Sequence, residues 1–172
     1  MKKFDGPALF LDRNDINTDE IIPARYLTEN TKTALKPYIL EDLAIPGFDP
    51  AEDCARARVI VTRGNFGCGS SREHAVWVLE ANDINVVIAE SFARIFRQNM
   101  FNCGMLAIEL PSEDIESILQ MKGEVVIEID LDKQKIKAKA QQDEKEFSFG
   151  MGSFEHELVV SGGWLAYADH RY

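Results

Sequence analysis

With 172 residues, 45% of them hydrophobic and 28% charged, the chain is sized for one domain, residues 1–172, and has enough apolar material to bury a core without disulfide staples. Lys and Arg number 19 against 29 Asp and Glu, a formal charge of −10 that excludes a broad electrostatic grip on nucleic acid or anionic lipid, though not a small cationic pocket. Cys54, Cys68 and Cys103 include no C-x-x-C pair, so no disulfide framework is expected and a reducing compartment fits.

The N-terminus, Met1 to Asp5, lacks the apolar run of a signal peptide, and no window approaches the roughly 18 apolar residues of a membrane span; a cytoplasmic protein is expected. Pro7 to Asp12 predicts a first strand. Asp12 to Asp19 is turn-forming and acidic. Residues 28 to 55, with Pro37, Pro46, Gly47 and Pro50, predict a long irregular excursion holding one short helix around Thr33 to Leu40.

The middle is more regular. Arg58 to Thr62 reads as a buried strand, Gly64 to Gly69 as a glycine-rich turn, and Ser71 to Asn82 as a helix. Ile84 to Ala89 is an uninterrupted apolar strand. Ser91 to Asn102 is a helix whose one face gathers Phe92, Ile95, Phe96, Asn99, Met100 and Cys103. Met105 to Leu110 is a third strand, and Pro111-Ser112-Glu113-Asp114 opens another helix with an N-cap and an acidic first turn. Alternation of strand and helix predicts parallel pairing. Beyond Gly123, Glu124 to Asp130 and Lys135 to Ala140 alternate and form a hairpin through Leu131 to Gln134, while Ser153 to Ser161 is a helix stopped by Gly162-Gly163. The fold class is α/β, a parallel βαβαβ core with additional β elements at the ends.

One segment carries chemistry: Gly64 to His74, between a predicted strand and a predicted helix. A helix N-terminus attracts anions, and glycines let backbone approach a ligand closely. Arg72 can clamp a carboxylate or phosphate, and Ser70 and Ser71 offer hydroxyls beside it. The segment is not a P-loop, because no Lys follows the last glycine, and Arg72 stands where a dinucleotide fingerprint has its third glycine. Ser70 has no evident His-Asp partnership. The residues alone suit a small-anion pocket and tight packing alike.

The string from Gly67 to His74 (GCGSSREH), Ala89 to Phe96 (AESFARIF) and Asn17 to Leu27 (NTDEIIPARYL) closely resembles the swivelling domain of the aconitase superfamily over roughly residues 8 to 110. Size and motif spacing resemble its stand-alone small subunits, of which the 3-isopropylmalate dehydratase type is the commonest. The resemblance implies a swivelling β/β/α fold and a hydro-lyase active only with a large subunit. That partner carries a [4Fe-4S] cluster, and this chain binds a small dicarboxylate. It maps the catalytic serine base onto Ser70 and carboxylate binding onto Ser71 and Arg72, with Asp19, Arg25, Thr28, Gly69 and His74 as further pocket residues; for Asp19, Arg25 and His74 a structural role is an equal alternative. The cysteine spacings lack the signature of a cluster site, so no metal is expected on this chain. Arg94 and Arg97 lie off the apolar helix face, either contacting a partner or solvated.

In related small subunits the loop after the Tyr-Leu pair helps choose the substituent, and an Arg there accompanies an extra carboxylate. Thr28-Glu29-Asn30 has none, which favours an alkyl-substituted malate, isomerised between 2- and 3-isopropylmalate in leucine biosynthesis. Homoaconitase or a dimethylmalate- or methylcitrate-type dehydratase is the alternative with the same mechanism. A non-catalytic metabolite-binding module is the alternative of another class.

Overall fold

A computed structural model describes residues 2–171. Its centre is a block of parallel strands that have almost no polar side chains. In β2 (Val59–Thr62) and β3 (Val86–Ala89) every residue is buried. Strands covered on both faces read as continuous apolar runs, and these two were legible for that reason. β1 (Gly6–Leu11) pairs in parallel with β2, β2 with β3, and β3 with β4 (Leu106–Glu109). On the other side of β1 the sheet turns antiparallel through β5 (Val126–Asp130), β6 (Lys135–Lys139) and β7 (Glu144–Ser148), in the order β4-β3-β2-β1-β5-β6-β7. The predicted hairpin is β5–β6, with Asp130 opposite Lys135. β7 continues it from a run, Glu144-Lys145-Glu146-Phe147, that alternates between exposed and half-buried positions.

The helices differ from expectation in instructive ways. α1 (Thr18–Ile21) was read as turn, yet Asn17 and Glu20 form a reciprocal capping box, a signal present in the sequence. In the excursion, α2 (Lys32–Leu35) and a 3-10 turn at Lys36–Tyr38 realise the one predicted helix. α3 (Pro50–Arg56) was missed although Asp49 caps it and Pro50 sits at its start, where a missing N–H costs nothing.

α4 (His74–Ala81) begins three residues later than the predicted Ser71. The Ser71 carbonyl, which a helix starting there would give to the amide four residues on, accepts instead from the Asn99 side chain. α5 (Arg94–Asn102) likewise starts after Ser91, because the backbone of Ser91 and Ala93 bonds to Phe66 and is held extended. Its apolar face is corrected too. Phe96, Met100 and Phe101 are buried, whereas Ile95 is 46% exposed. α6 (Ser112–Leu119) has its acidic first turn, but Pro111 rather than Ser112 stands at the cap and no side chain caps it. α7 (Ser153–Ser161) ends as predicted on Gly162 at φ 91°, and α8 (Trp164–Arg171) follows. Arg97, expected to be solvated or partner-facing, instead bonds Glu155 at 2.9 Å and fixes α5 to α7. Among the described residues no helix is long and apolar enough to cross a membrane.

Candidate active site

Three connections leave the carboxyl ends of the adjacent strands β1, β2 and β3, and they converge there. This is where ligands sit on open parallel sheets, since each loop emerges at the same sheet edge. Thr62, fully buried, ties the first two strands by donating its hydroxyl to the Leu11 carbonyl at 2.7 Å. Beyond it the chain from 64 to 68 runs as a filament between the other two connections. On one side Gly64 N–H donates to Asn14 Oδ1 at 2.8 Å, Gly67 N–H to the Ile16 carbonyl at 2.8 Å, and Thr18 N–H to the Cys68 carbonyl at 2.8 Å. On the other, Phe66 N–H donates to the Ser91 carbonyl at 3.1 Å and Ala93 N–H to the Phe66 carbonyl at 3.0 Å. The three separate sequence motifs are thus one hydrogen-bonded unit.

Phe66 plugs the base of this unit, 1% exposed and edge-on to Phe92 and Phe96 with ring centroids 6.2 and 5.4 Å away. Gly67 must be glycine: at φ +83° an added Cβ would stand 2.2 Å from the Phe96 ring. Gly69, at φ +104°, turns the chain outward over Thr18.

What is turned outward is Ser70-Ser71-Arg72, all three exposed. Thr18 grips this turn twice, its amide holding Cys68 and its hydroxyl accepting the Ser70 N–H at 3.0 Å. Arg72 N–H donates to Ser70 Oγ at 3.2 Å, and Asn99 Nδ2 from α5 donates to the Ser71 carbonyl at 3.2 Å. Among the described residues the Arg72 guanidinium has no hydrogen bond or ion pair, which leaves an exposed planar cation on the same turn as the two serines. α4 begins immediately after Glu73, so the turn precedes a helix N-terminus, where unspent N–H groups favour negative charge. The arrangement can bind a carboxylate and can stabilise charge on Ser70 Oγ.

The sequence matches the aconitase C-terminal domain family over residues 26–113. It is 37% identical over 161 residues to the 3-isopropylmalate dehydratase small subunit of Deinococcus deserti, covering 90% of this chain and 81% of that one. With small subunit 2 of the same enzyme from Deinococcus radiodurans it shares 41% over 155 residues, covering 90% and 71%. The crystal structure of a 3-isopropylmalate dehydratase from Methanocaldococcus jannaschii matches with a TM-score of 0.79 at 33% identity, over 98% of this chain and 94% of that one. The chain belongs to the aconitase family, among the 3-isopropylmalate dehydratase small subunits. Its α/β fold is that family's swivelling domain.

Within this small-subunit frame the other expected pocket residues fall into two groups. Gly69, Ser70, Ser71 and Arg72 share the turn just described. His74 is half-buried at the start of α4; its Nε2 lies 3.1 Å from the Glu29 carbonyl and its ring lies 4.8 Å from that of Trp77, so it fastens the 26–30 segment to the turn. Asp19 and Thr28 are exposed, Asp19 in the first turn of α1. Arg25 is committed elsewhere: it pairs with Asp42 at 3.2 Å and Glu41 at 3.4 Å and lies over Tyr26, which stacks on Tyr38. Glu20, rather than Asp19, is the acid built into the motif; its bond from Arg13 holds its carboxyl below the usual range.

Thr18 and Asn99 were missed as site residues. Thr18 lay inside a quoted motif, and Asn99 was the one polar side chain on a stripe read as apolar.

Cys54 lies on α3, Cys68 in the glycine turn and Cys103 at the end of α5, and the described residues contain no group of three His, Cys, Asp or Glu placed to hold a metal. Burial pushes the Cys54 thiol up to about 12 and that of Cys103 to about 11.

Proposed function

We propose that the chain is the small subunit of a hydro-lyase that interconverts 2- and 3-isopropylmalate by dehydration and rehydration, in leucine biosynthesis in the cytoplasm, and that it works only with a large subunit. The observation that carries the reading is the Arg72 N–H donated to Ser70 Oγ, on a turn whose Arg72 side chain is exposed and unpaired among the described residues. A free serine hydroxyl is far too weak a base to take a proton from carbon. An alkoxide that already faces an amide dipole and a nearby cation is a stronger candidate, because those donors need no reorganisation as charge appears.

In this mechanism Ser70 removes the proton from the substrate carbon and returns it on rehydration. Ser71 and Arg72 hold a carboxylate, the guanidinium bidentately, and fix the C–H against Ser70. Docking on the large subunit covers the exposed turn and excludes water. We assign the [4Fe-4S] cluster that the family implies to the large subunit; the described residues of this chain hold no group of three His, Cys, Asp or Glu placed for a metal.

The alkyl substituent is supported by charge. The one cation of the N-terminal motif near the 26–30 segment, Arg25, is already paired with Glu41 and Asp42, and Glu29 is the only charge between residues 26 and 30. A third carboxylate would be uncompensated there. The test is anaerobic co-purification with a large subunit and assay on 3-isopropylmalate and homoaconitate. Turnover of isopropylmalate by the complex and by neither subunit alone is expected. Turnover of homoaconitate only would keep the mechanism and discard the substrate, and binding without turnover of either would leave a metabolite-binding module.

A further inference from the structure

Asn99 stands on the stripe of α5 that spacing marks as apolar, yet its side chain leaves that core. One helical turn before it, Ile95 is 46% exposed, so this edge of α5 faces the Ser70–Arg72 turn rather than the sheet. The Asn99 amide donates to the Ser71 carbonyl at 3.2 Å, across 28 residues of sequence.

The position of that bond matters because a peptide unit is rigid and planar, with its C=O and N–H pointing in opposite directions. The carbonyl of Ser71 and the amide of Arg72 belong to the same plane. Asn99 holds one end of it, and the other end donates to Ser70 Oγ at 3.2 Å. No helical pairing fixes this plane, since α4 starts only at His74. Thr18 fixes a different peptide, the one joining Gly69 to Ser70. Among the described residues no other side chain from outside the turn bonds the Ser71–Arg72 peptide.

We propose that Asn99 is a positioning residue for Ser70, locking the Ser71–Arg72 peptide so that its N–H, and not its carbonyl, faces the serine oxygen. The inference rests on Ser70 being the base. Released from Asn99, the plane is free to rotate and to present a carbonyl dipole to that oxygen. A neutral hydroxyl tolerates either orientation by donating or accepting, whereas an alkoxide tolerates only the N–H. Loss of Asn99 therefore raises the barrier to proton abstraction without weakening the carboxylate contacts, which lie on the side chains of Ser71 and Arg72.

The test uses the assembled complex carrying Asn99→Leu or Asn99→Asp, both close to Asn in size and both without the amide donor. The expected result is a fall in kcat of about 10²-fold, the scale of losing one oxyanion donor, with KM within about threefold of wild type. Assembly with the large subunit is retained. A crystal structure of the Asn99→Leu chain should show the Ser71–Arg72 peptide rotated away from Ser70 Oγ. An active wild type with kcat of both variants within threefold of it overturns the inference, as does a kcat loss with the peptide unmoved. If Asn99→Leu fails to fold, Asn99→Asp carries both readouts. A wild-type complex with no hydro-lyase turnover overturns the assignment of Ser70 itself, and the inference with it.

Discussion

Gly67→Ala is the sharpest test of how the site is built. The substitution places a methyl 2.2 Å from Cγ and 2.6 Å from both Cδ atoms of Phe96, a ring only 3% exposed that is packed edge-on to Phe66. It also puts an L-residue at φ +83°. The left-handed conformation costs about 1–2 kcal/mol and overpacking of this kind about 1–3 kcal/mol, giving roughly 2–5 kcal/mol together. For a chain of this length each kcal/mol lowers Tm by about 2–4 °C, so a fall of roughly 4–20 °C is expected. Denaturant unfolding measures the free energy and calorimetry the Tm. Phe96→Leu in the same background should recover part of the steric component and none of the backbone component, a coupling of about 0.5–2 kcal/mol in the double-mutant cycle. Gly67→Ala within about 0.5 kcal/mol of wild type, or additive with Phe96→Leu, would refute the argument.

Burial pushes the Glu80 carboxyl up, but ion pairs to Lys2 at 2.7 Å and Lys32 at 2.5 Å outweigh it and hold the group below its usual value near 4.5. The unfolded chain then binds this proton more readily. Its contribution is present in full above about pH 4.5 and is lost as pH falls below that, so wild type should lose stability in acid more steeply than Glu80→Gln; parallel curves would contradict this. With a thiol pushed up to about 12, Cys54 is only about one part in 10⁴ thiolate at pH 8. Timed alkylation read by mass spectrometry should therefore modify the less buried Cys68 before Cys103 and Cys54, and a Cys54-first order would be inconsistent with the burial described. Glu29→Arg supplies the cation that the 26–30 segment lacks. The ratio of kcat/KM for homoaconitate over 3-isopropylmalate should rise by about tenfold or more, and an unchanged ratio would remove that segment from substrate choice.

What the sequence made legible follows from which signals are local. β2, β3 and the α7 stop at Gly162 were readable because burial on both faces and a left-handed glycine leave their marks on the residues concerned. Helix starts at Ser71 and Ser91 were misplaced because the contacts that displaced them are not local. Phe66, far from Ser91 in sequence, extends residues 91–93, and Asn99, 28 residues on, holds the Ser71 carbonyl that a helix starting there would have paired. The same reason hid Thr18 and Asn99. Each acts on the serine turn across 52 or 28 residues, and only the convergence of three loops at one sheet edge makes the contact. For Arg25, where a pocket role and a structural role were equal readings of the motif, the ion pairs to Glu41 and Asp42 favour the structural one.

Hydrogen exchange at the substrate carbon tests Ser70 most directly. The assembled complex, wild type and Ser70→Ala, would be incubated with isopropylmalate in deuterated water and followed by proton NMR. Removing the base should slow loss of the C–H signal by at least about 10³-fold, while assembly and isopropylmalate binding persist. Exchange by Ser70→Ala within tenfold of wild type would contradict the account and assign the base to another group.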